Sequence, residues 1–484
     1  MWSNTAFLDE ATYLFAGHVE LMHWLHGTPA PAYATYFSGA PVIYPPLAAL
    51  AASAGGVAAA RLLSLGFMLI TTTLLWDTTS RLFGRRAAFF AAVLFAVLGP
   101  TQFLGAFATY DAMALCLLSA SVWCVVRAQD RDDSTLLLVA AAFLLALANA
   151  TKYATGLFDP TVVGLGALVI VKRRGVKAAL GRGGYLLAAT LGIISALLAV
   201  GGSAYLTGVL STTVARASGG QPPSVILADS ARWVGIVCAI SVAGVAFGLV
   251  KRDQRVQAMI LALLAVSGVL APANQARIHT LTSLSKHVDF GAWFAAAAAG
   301  YAIAQVSRLP LPRVLSATVA GLVAAAVIGA AAAIGWGQAT SFYQTWPDSA
   351  QVTADLRSIT RDHPGNYLAE DYDVPAYYLE NTIGWHRWSD TWFLEYQPPG
   401  ATHPLGGPAA YQSAVRHHYF SLIILDFGDT AQLDNVITSA ISQSGDYRVI
   451  AELPYWDKFG TGRFTVWAYQ PPRHRSKTPR TGRA

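Results

Sequence analysis

Asp9 and Glu10 are adjacent carboxylates that precede a long, mostly apolar stretch of chain, with Tyr13, His18 and Glu20 close behind. Further polar groups gather where apolar segments begin or end: Arg61; Tyr110-Asp111; Asn149, Lys152 and Tyr153; Asp159; and Arg277, His279, Lys286, His287 and Asp289. Carboxylates near cations suit group transfer away from a phosphate. A carboxylate can take the proton of an acceptor hydroxyl, and Lys and Arg can stabilise the charge that grows on the departing phosphate. With several cations a metal is not strictly required; a divalent ion stays open as an alternative that no His or Cys spacing supports.

These residues need elements to hold them. The chain has 484 residues, 54% hydrophobic and 12% charged, about half the charge of an ordinary soluble protein. That composition places it among polytopic membrane proteins. Residues 1–337 carry 21 basic and 12 acidic side chains; residues 338–470 carry 7 and 15. Two solvents, and so two kinds of domain, follow from that shift. The overall charge of +6 reflects basic residues at a membrane surface and is weak support for nucleic-acid binding. Cys116, Cys124 and Cys238 all lie in apolar segments, which disfavours disulfides and cysteine zinc sites in the polar domain.

Ten apolar stretches are long enough, or nearly so, to span a bilayer, at about 58–80, 86–106, 110–127, 135–152, 156–172, 184–206, 230–250, 256–273, 287–306 and 313–336. The run 44–53 is shorter and reads as an interfacial helix. Alternate connections hold 15 and 6 basic residues. The richer set includes Arg81, Arg127, Arg173, Lys251, Arg252, Arg308 and Arg313, and the positive-inside rule makes it cytoplasmic. Asp9-Glu10 and everything after Trp336 then face the exterior. A chain that starts outside suggests that a further helix precedes Met1.

The expected architecture is a polytopic α-helical membrane protein with a small C-terminal exterior α/β domain. Residues 1–57 form an exterior acidic loop with the interfacial helix, 58–337 the helical bundle, 338–470 the α/β domain and 471–484 a basic tail. In the α/β domain, Val352–Ile359 and Gln432–Ser444 read as helices. Tyr367–Ala369, Ser421–Leu425, Tyr447–Leu453 and Arg463–Tyr469 read as strands.

Each candidate also has a plain structural reading. Asp9 is equally well a solvated acid or a helix N-terminal charge, and Glu10 a helix cap. Asp111 can be an N-cap, Arg61 can snorkel, and Lys152 suits a helix C-terminus. His279 and His287 suit structural or donor-binding roles better than metal ligation. The aromatics Tyr377, Tyr378, Trp385, Trp388 and Trp392 can stack on sugars but more often form core.

Asp9-Glu10-Ala11-x-Tyr13, Tyr44-Pro45-Pro46-Leu47, Gly55-Gly56 with Ala60-Arg61-Leu62-Leu63-Ser64, and Thr109-Tyr110-Asp111-Ala112 together resemble the GT-C glycosyltransferases. The likeness is to the branch holding protein O-mannosyltransferases and lipid A aminoarabinose transferases, and covers roughly residues 1–160. Ser285-Lys286-His287-Val288-Asp289-Phe290-Gly291 looks like a motif of an actinobacterial subgroup.

The resemblance implies a polyprenyl-phosphate sugar donor, an inverted linkage and a lipid, glycan or protein acceptor. Asp9 would be the catalytic base, with Glu10 and Asp111 orienting or coordinating. Arg61, Lys152, Arg277 and Lys286 would bind the donor phosphate. Tyr44, Tyr110, His279, His287 and Asp289 would contact substrate. The family often has Lys where Tyr44 stands, which leaves open which cation meets the phosphate. The family helix before the acidic loop agrees with the expected helix upstream of Met1. The alternatives are a transporter of lipid-linked sugars, which would put charges at helix midpoints, and an inactive partner protein.

Overall fold

The computed structural model describes residues 4–131, 133–250, 255–306 and 313–471, with only the backbone described over 313–317. Lys251, Arg252, Arg308, the Arg313 side chain and the basic tail from residue 472 onward lie outside the described residues. The chain divides into two compact units. One runs from Ala16 to Tyr343; the other joins the N-terminal residues up to Phe15 with the chain from Gln344 onward.

The first unit is helical. Every one of the ten predicted segments coincides with a helix or a helix pair. Six helices among the described residues are long and apolar enough to cross a membrane. A seventh span results if Arg85–Ala96 and Gly99–Ala106, bent by 67°, count as one. The remainder fall short for physical reasons. Thr135–Thr151 is brief. The segment after Lys152 is divided between a 3-10 turn, Tyr153–Phe158, and the helix Asp159–Leu168.

Leu284–Val306 is polar at its start and is buried along nearly its whole length. It needs less apolarity because other helices surround it. Its run Ala295–Ala299 and Gly300 lets neighbours approach closely, the usual device where helices pack inside a membrane. At Gly300 a Cβ would lie 2.4 Å from the Ala87 carbonyl oxygen and 2.6 Å from the Ala91 nitrogen.

Two expectations near the N-terminus change. The stretch expected as an acidic loop contains the helix Leu8–His26, with Asp9 and Glu10 in its first turn. Carboxylates there complement the helix dipole. The run expected as a separate interfacial helix is continuous with the next span in Tyr44–Phe83. Pro45 and Pro46 occupy its first positions, and the helix is interrupted at Gly55-Gly56, where Gly56 has φ of 64°. Only glycine takes that conformation without cost.

The second unit carries a five-stranded sheet: β1 (Asn366–Ala369), β2 (Trp388–Ser389), β3 (Phe420–Leu425), β4 (Tyr447–Asp457) and β5 (Gly460–Tyr469). Their order is β2-β1-β3-β5-β4. β1 is parallel to both neighbours, and β5 is antiparallel to β3 and β4. Helices Ala350–Asp362 and Ala431–Ser444 appear where expected. β2 and the helices Asp373–Tyr378 and Gly407–Arg416 do not follow from the pattern. The core joins Leu368, Phe420, Ile423 and Trp467 of the strands to Tyr411, Val415 and Ile437 of the helices.

The close approach at Gly300 makes a sharp prediction. Gly300→Val should lower stability by about 2 kcal/mol through overpacking, read as a drop in melting temperature of the purified protein in detergent. A surface change such as Leu136→Val, on a side chain 81% exposed, should leave the melt in place.

Candidate functional site

At one end of the helical unit Lys152 and Asp111 form a buried ion pair, with the ammonium donating to Asp111 Oδ1. Both side chains are almost completely inaccessible. Thr109 holds the N-cap position of Tyr110–Arg127. Asp111 therefore sits inside the first turn and points at Lys152, where an N-cap role had been a fair expectation. Lys152 follows the last turn of Thr135–Thr151 and caps it in extended conformation. Its Nζ lies 4.7 Å from the Tyr110 ring centroid, a cation–π contact. Lys286 and His287 are within electrostatic reach of Asp111.

Asp111 Oδ2 has no hydrogen-bond partner among the described residues. Neither has Asp289 Oδ2, while the Thr101 hydroxyl donates to Asp289 Oδ1 at 2.7 Å. Gln275 Nε2 donates to His287 Nδ1 at 2.9 Å, which leaves the other ring nitrogen to carry the proton.

Beside this cluster lies a cavity of about 420 Å³ lined by Arg216, Arg277, His287, Asn274, Gln275 and Tyr153, with other residues. Arg277 donates to Asn274 Oδ1 from Nε and from a terminal nitrogen at 3.3 and 3.0 Å. A second cavity of about 240 Å³ is mainly apolar, with Ile194, Leu197, Leu198 and Val209 in its wall. The two share Tyr153, Gly156 and Thr213. Side by side they offer cations and amides in one chamber and aliphatic surface in the next. Arg216 is absent from the predicted site set. Its only signal in the sequence is that it is one of the six basic residues on the sparser side.

The other candidates fall elsewhere. Tyr44 is fully buried, with its hydroxyl 3.3 Å from Ser64 Oγ, and supplies core polarity. Arg61 is buried, with its guanidinium 5.6 Å from the Phe107 ring centroid, so it does not snorkel to a surface. His279 has φ of 53° and its Nδ1 lies 3.0 Å from the Gln221 carbonyl oxygen, which ties two loops together.

Asp9 and Glu10 lie in the second unit. Glu10 is buried and accepts from the Phe7 N–H at 3.3 Å, the capping geometry expected of a first-turn acid. Asp9 is half-buried. Its segment is fixed by Asn4 to the Trp346 carbonyl at 2.8 Å, Trp346 Nε1 to the Thr5 carbonyl at 2.7 Å, and the Ala6 N–H to the Tyr378 hydroxyl at 2.9 Å. Asp373, another residue the sequence did not single out, is buried close by. Burial pushes its carboxyl up to about 7, a hydrogen bond with Thr12 opposes this, and Asp390, Asp371 and Asp9 add to the rise. Among the described residues, no group of three or more His, Cys, Asp or Glu is arranged to hold a metal ion.

The fold and this site define a class: a polytopic membrane protein whose buried ion pair and amphiphilic chamber adjoin at one end of the bundle. Residues 43–199, less than half of the chain, match the family model of dolichyl-phosphate-mannose-protein mannosyltransferases. No curated protein matches.

Solved structures match over almost the whole chain. ArnT from Cupriavidus metallidurans bound to undecaprenyl phosphate is 15% identical with a TM-score of 0.59, over 96% of this chain and 94% of that one. The oligosaccharyltransferase AglB from Archaeoglobus fulgidus, in complex with an inhibitory peptide and a dolichol-phosphate, is 13% identical with a TM-score of 0.59, over 99% and 72%. The arabinofuranosyltransferase AftD from Mycobacteria is 15% identical with a TM-score of 0.55, over 98% and 38%. The chain has the GT-C glycosyltransferase fold, and its likeness to the O-mannosyltransferase and aminoarabinose transferase branch is borne out.

Two measurements probe this geometry. Lys152→Met should cost about 3–5 kcal/mol, because it strands a buried carboxylate. Adding Asp111→Leu should recover much of that loss, giving a clear coupling in a double-mutant cycle of melting temperatures.

The second concerns pH. Unfolded Asp373 releases its proton near the ordinary value of 3.8, and folded Asp373 near 7. Its contribution to stability is full below pH 4 and is lost as pH rises through 7. The difference in melting temperature between Asp373→Asn and wild type should shift in favour of the variant from pH 5 to pH 8.

Proposed function

We propose that this chain transfers a sugar from a polyprenyl-phosphate carrier to an acceptor on the exterior face of the membrane, with inversion at the sugar carbon. The observation that carries this reading is the pairing of the two cavities. An arginine- and amide-lined chamber that opens beside an aliphatic one matches an amphiphile with an anionic phosphate and a hydrocarbon tail. Lipid phosphates bound to proteins of the same fold support it, as does the family match over residues 43–199.

In this reaction the acceptor hydroxyl attacks the anomeric carbon from the face opposite the phosphate. The glycosidic bond forms as the bond to the phosphate oxygen breaks. Asp9 takes the acceptor proton, and the carrier leaves as polyprenyl phosphate. Arg216 and Arg277 hold the phosphate and balance the charge that develops on it. Lys152, expected to meet the phosphate, has its charge engaged by Asp111, so its role is to set the carboxylate and the Tyr110 ring in place. Glu10, bonded to its own helix start, holds the Asp9 turn. The basic-residue asymmetry of the sequence supports the exterior assignment.

Transfer from a synthetic polyprenyl-phosphate sugar tests the reading. Asp9→Asn should lower kcat about 100-fold or more, and unchanged activity would remove Asp9 from the base role. Arg216→Gln and Arg277→Gln should each raise the donor KM about tenfold, the order expected for loss of a charged hydrogen bond.

A further inference from the structure

The second unit has a cavity of its own. It measures about 340 Å³, within the range of ordinary small-ligand sites of about 300–1,000 Å³. All of its lining comes from that unit. It sits where the carboxyl ends of parallel β1 and β3 meet: Ala369 ends β1 and Glu370 and Asp371 follow it, while Asp426, Gly428 and Asp429 follow β3. Crevices at the carboxyl ends of parallel strands are the usual ligand positions in open α/β sheets. Trp346, Tyr455 and Phe464 add aromatic surface.

The lining selects among ligand chemistries. It contains five carboxylates, Glu370, Asp371, Asp426, Asp429 and Asp457, and neither Lys nor Arg. Phosphates and other anions are therefore repelled, which rules out the donor headgroup. A wholly apolar ligand would strip these acids of water without replacing it.

A metal ion is poorly served, because Glu370 and Asp457 are already engaged. Glu370 accepts from the N–H groups of Asp426, Gly428 and Thr430 and from the Thr430 hydroxyl, at 2.9 to 3.4 Å. Asp457 accepts from the N–H groups of Phe459 and Gly460 at 2.7 and 3.0 Å. A calcium ion wants about six to eight oxygens. Burial and the neighbouring Glu370 push the Asp426 carboxyl well up from the ordinary carboxylate range, which favours its protonated form.

What remains is a neutral ligand rich in hydroxyls, which give and take hydrogen bonds and present C–H faces to rings. Asp371 is shaped for such a partner. It has φ of 51°, a conformation costing about 1 kcal/mol or more for a residue other than glycine. Its Oδ1 is buried without a hydrogen-bond partner among the described residues.

We propose that this crevice binds one or two sugar units of a neutral acceptor glycan, with Tyr455 and Trp346 against sugar C–H faces and Asp371 and Asp429 taking hydroxyl hydrogen bonds. The proposal rests on the sugar-transfer reading above and narrows its acceptor to a glycan.

The experiment uses the full-length protein in nanodiscs and a panel of neutral hexose and pentose disaccharides. Saturation-transfer NMR and calorimetry measure binding to wild type, Tyr455→Ala, Asp371→Asn and Asp429→Asn. Asn tolerates the left-handed backbone of position 371, and Asp429 is exposed, so melting temperatures should stay close to wild type. The expected result is binding of at least one disaccharide, weakened tenfold or more in Tyr455→Ala and Asp371→Asn, with undecaprenyl phosphate binding unchanged.

Failure of every disaccharide to bind wild type overturns the proposal. So does binding that all three variants leave intact, or calcium binding that the variants abolish while no sugar binds. Transfer assays run in parallel separate the two ideas. Disaccharide binding without any sugar transfer sinks the transfer reading and leaves the glycan crevice standing. Transfer with an unchanged acceptor KM in all three variants sinks the crevice and leaves the transfer reading.

Discussion

A charge inside a helical membrane bundle has to be compensated, and the Asp111–Lys152 pair shows how the helical unit meets that demand. Each partner alone would cost several kcal/mol to bury. Together they fix where Tyr110–Arg127 begins and where Thr135–Thr151 ends. Tyr110 lies beneath the ammonium, and His287 and Lys286 stand within electrostatic range. Because Tyr153 follows Lys152 directly and lines both cavities, the pair also sets the wall of the chamber assigned to the donor.

Breaks in the helices serve the same end of the bundle. Residues 153–158 leave the α-helical path just after Lys152, and Leu270–Arg277 ends where Arg277 meets the cavity. Irregular backbone within a membrane is tolerated where protein or a polar cavity satisfies its groups. Here the Thr155 hydroxyl donates to the Lys152 carbonyl at 2.8 Å, and Asn149 braces the same turn, donating to Asp159 at 2.8 Å and accepting from Thr155 at 2.6 Å. The long central helix Leu284–Val306 gives the fixed surface against which these breaks are arranged, with small residues on its contacting faces.

The sheet-bearing unit follows a different logic. Water can reach its rim, so it carries many acids, and the buried Glu370 is held by hydrogen bonds rather than by a cation. Glu370 gathers the backbone N–H groups of the 426–430 loop, which shapes the crevice beside Asp371. Of the aromatics that stood out in the sequence, Trp388 packs on Tyr367 at 5.2 Å and Tyr377 is buried, in keeping with a core role. The rings at the crevice are others, Trp346 and Tyr455 among them.

The sequence by itself determined the membrane class, the ten helical segments, the polar domain with four of its five strands, and the likeness to GT-C enzymes. The first three depend on local composition and periodicity, and the likeness rests on short motifs; neighbouring residues carry both. Only the tertiary structure decided the partnerships. Lys152 reads as a free cation until Asp111, 41 positions away, is seen against it. Arg216 reads as one basic residue among six until its loop is seen to share a cavity with Arg277 and His287. Tyr44 reads as a candidate substrate contact until it is seen in the core beside Ser64. The free energy of a buried charge or hydroxyl is set by what the fold brings within a few ångströms of it, and sequence spacing does not encode that distance.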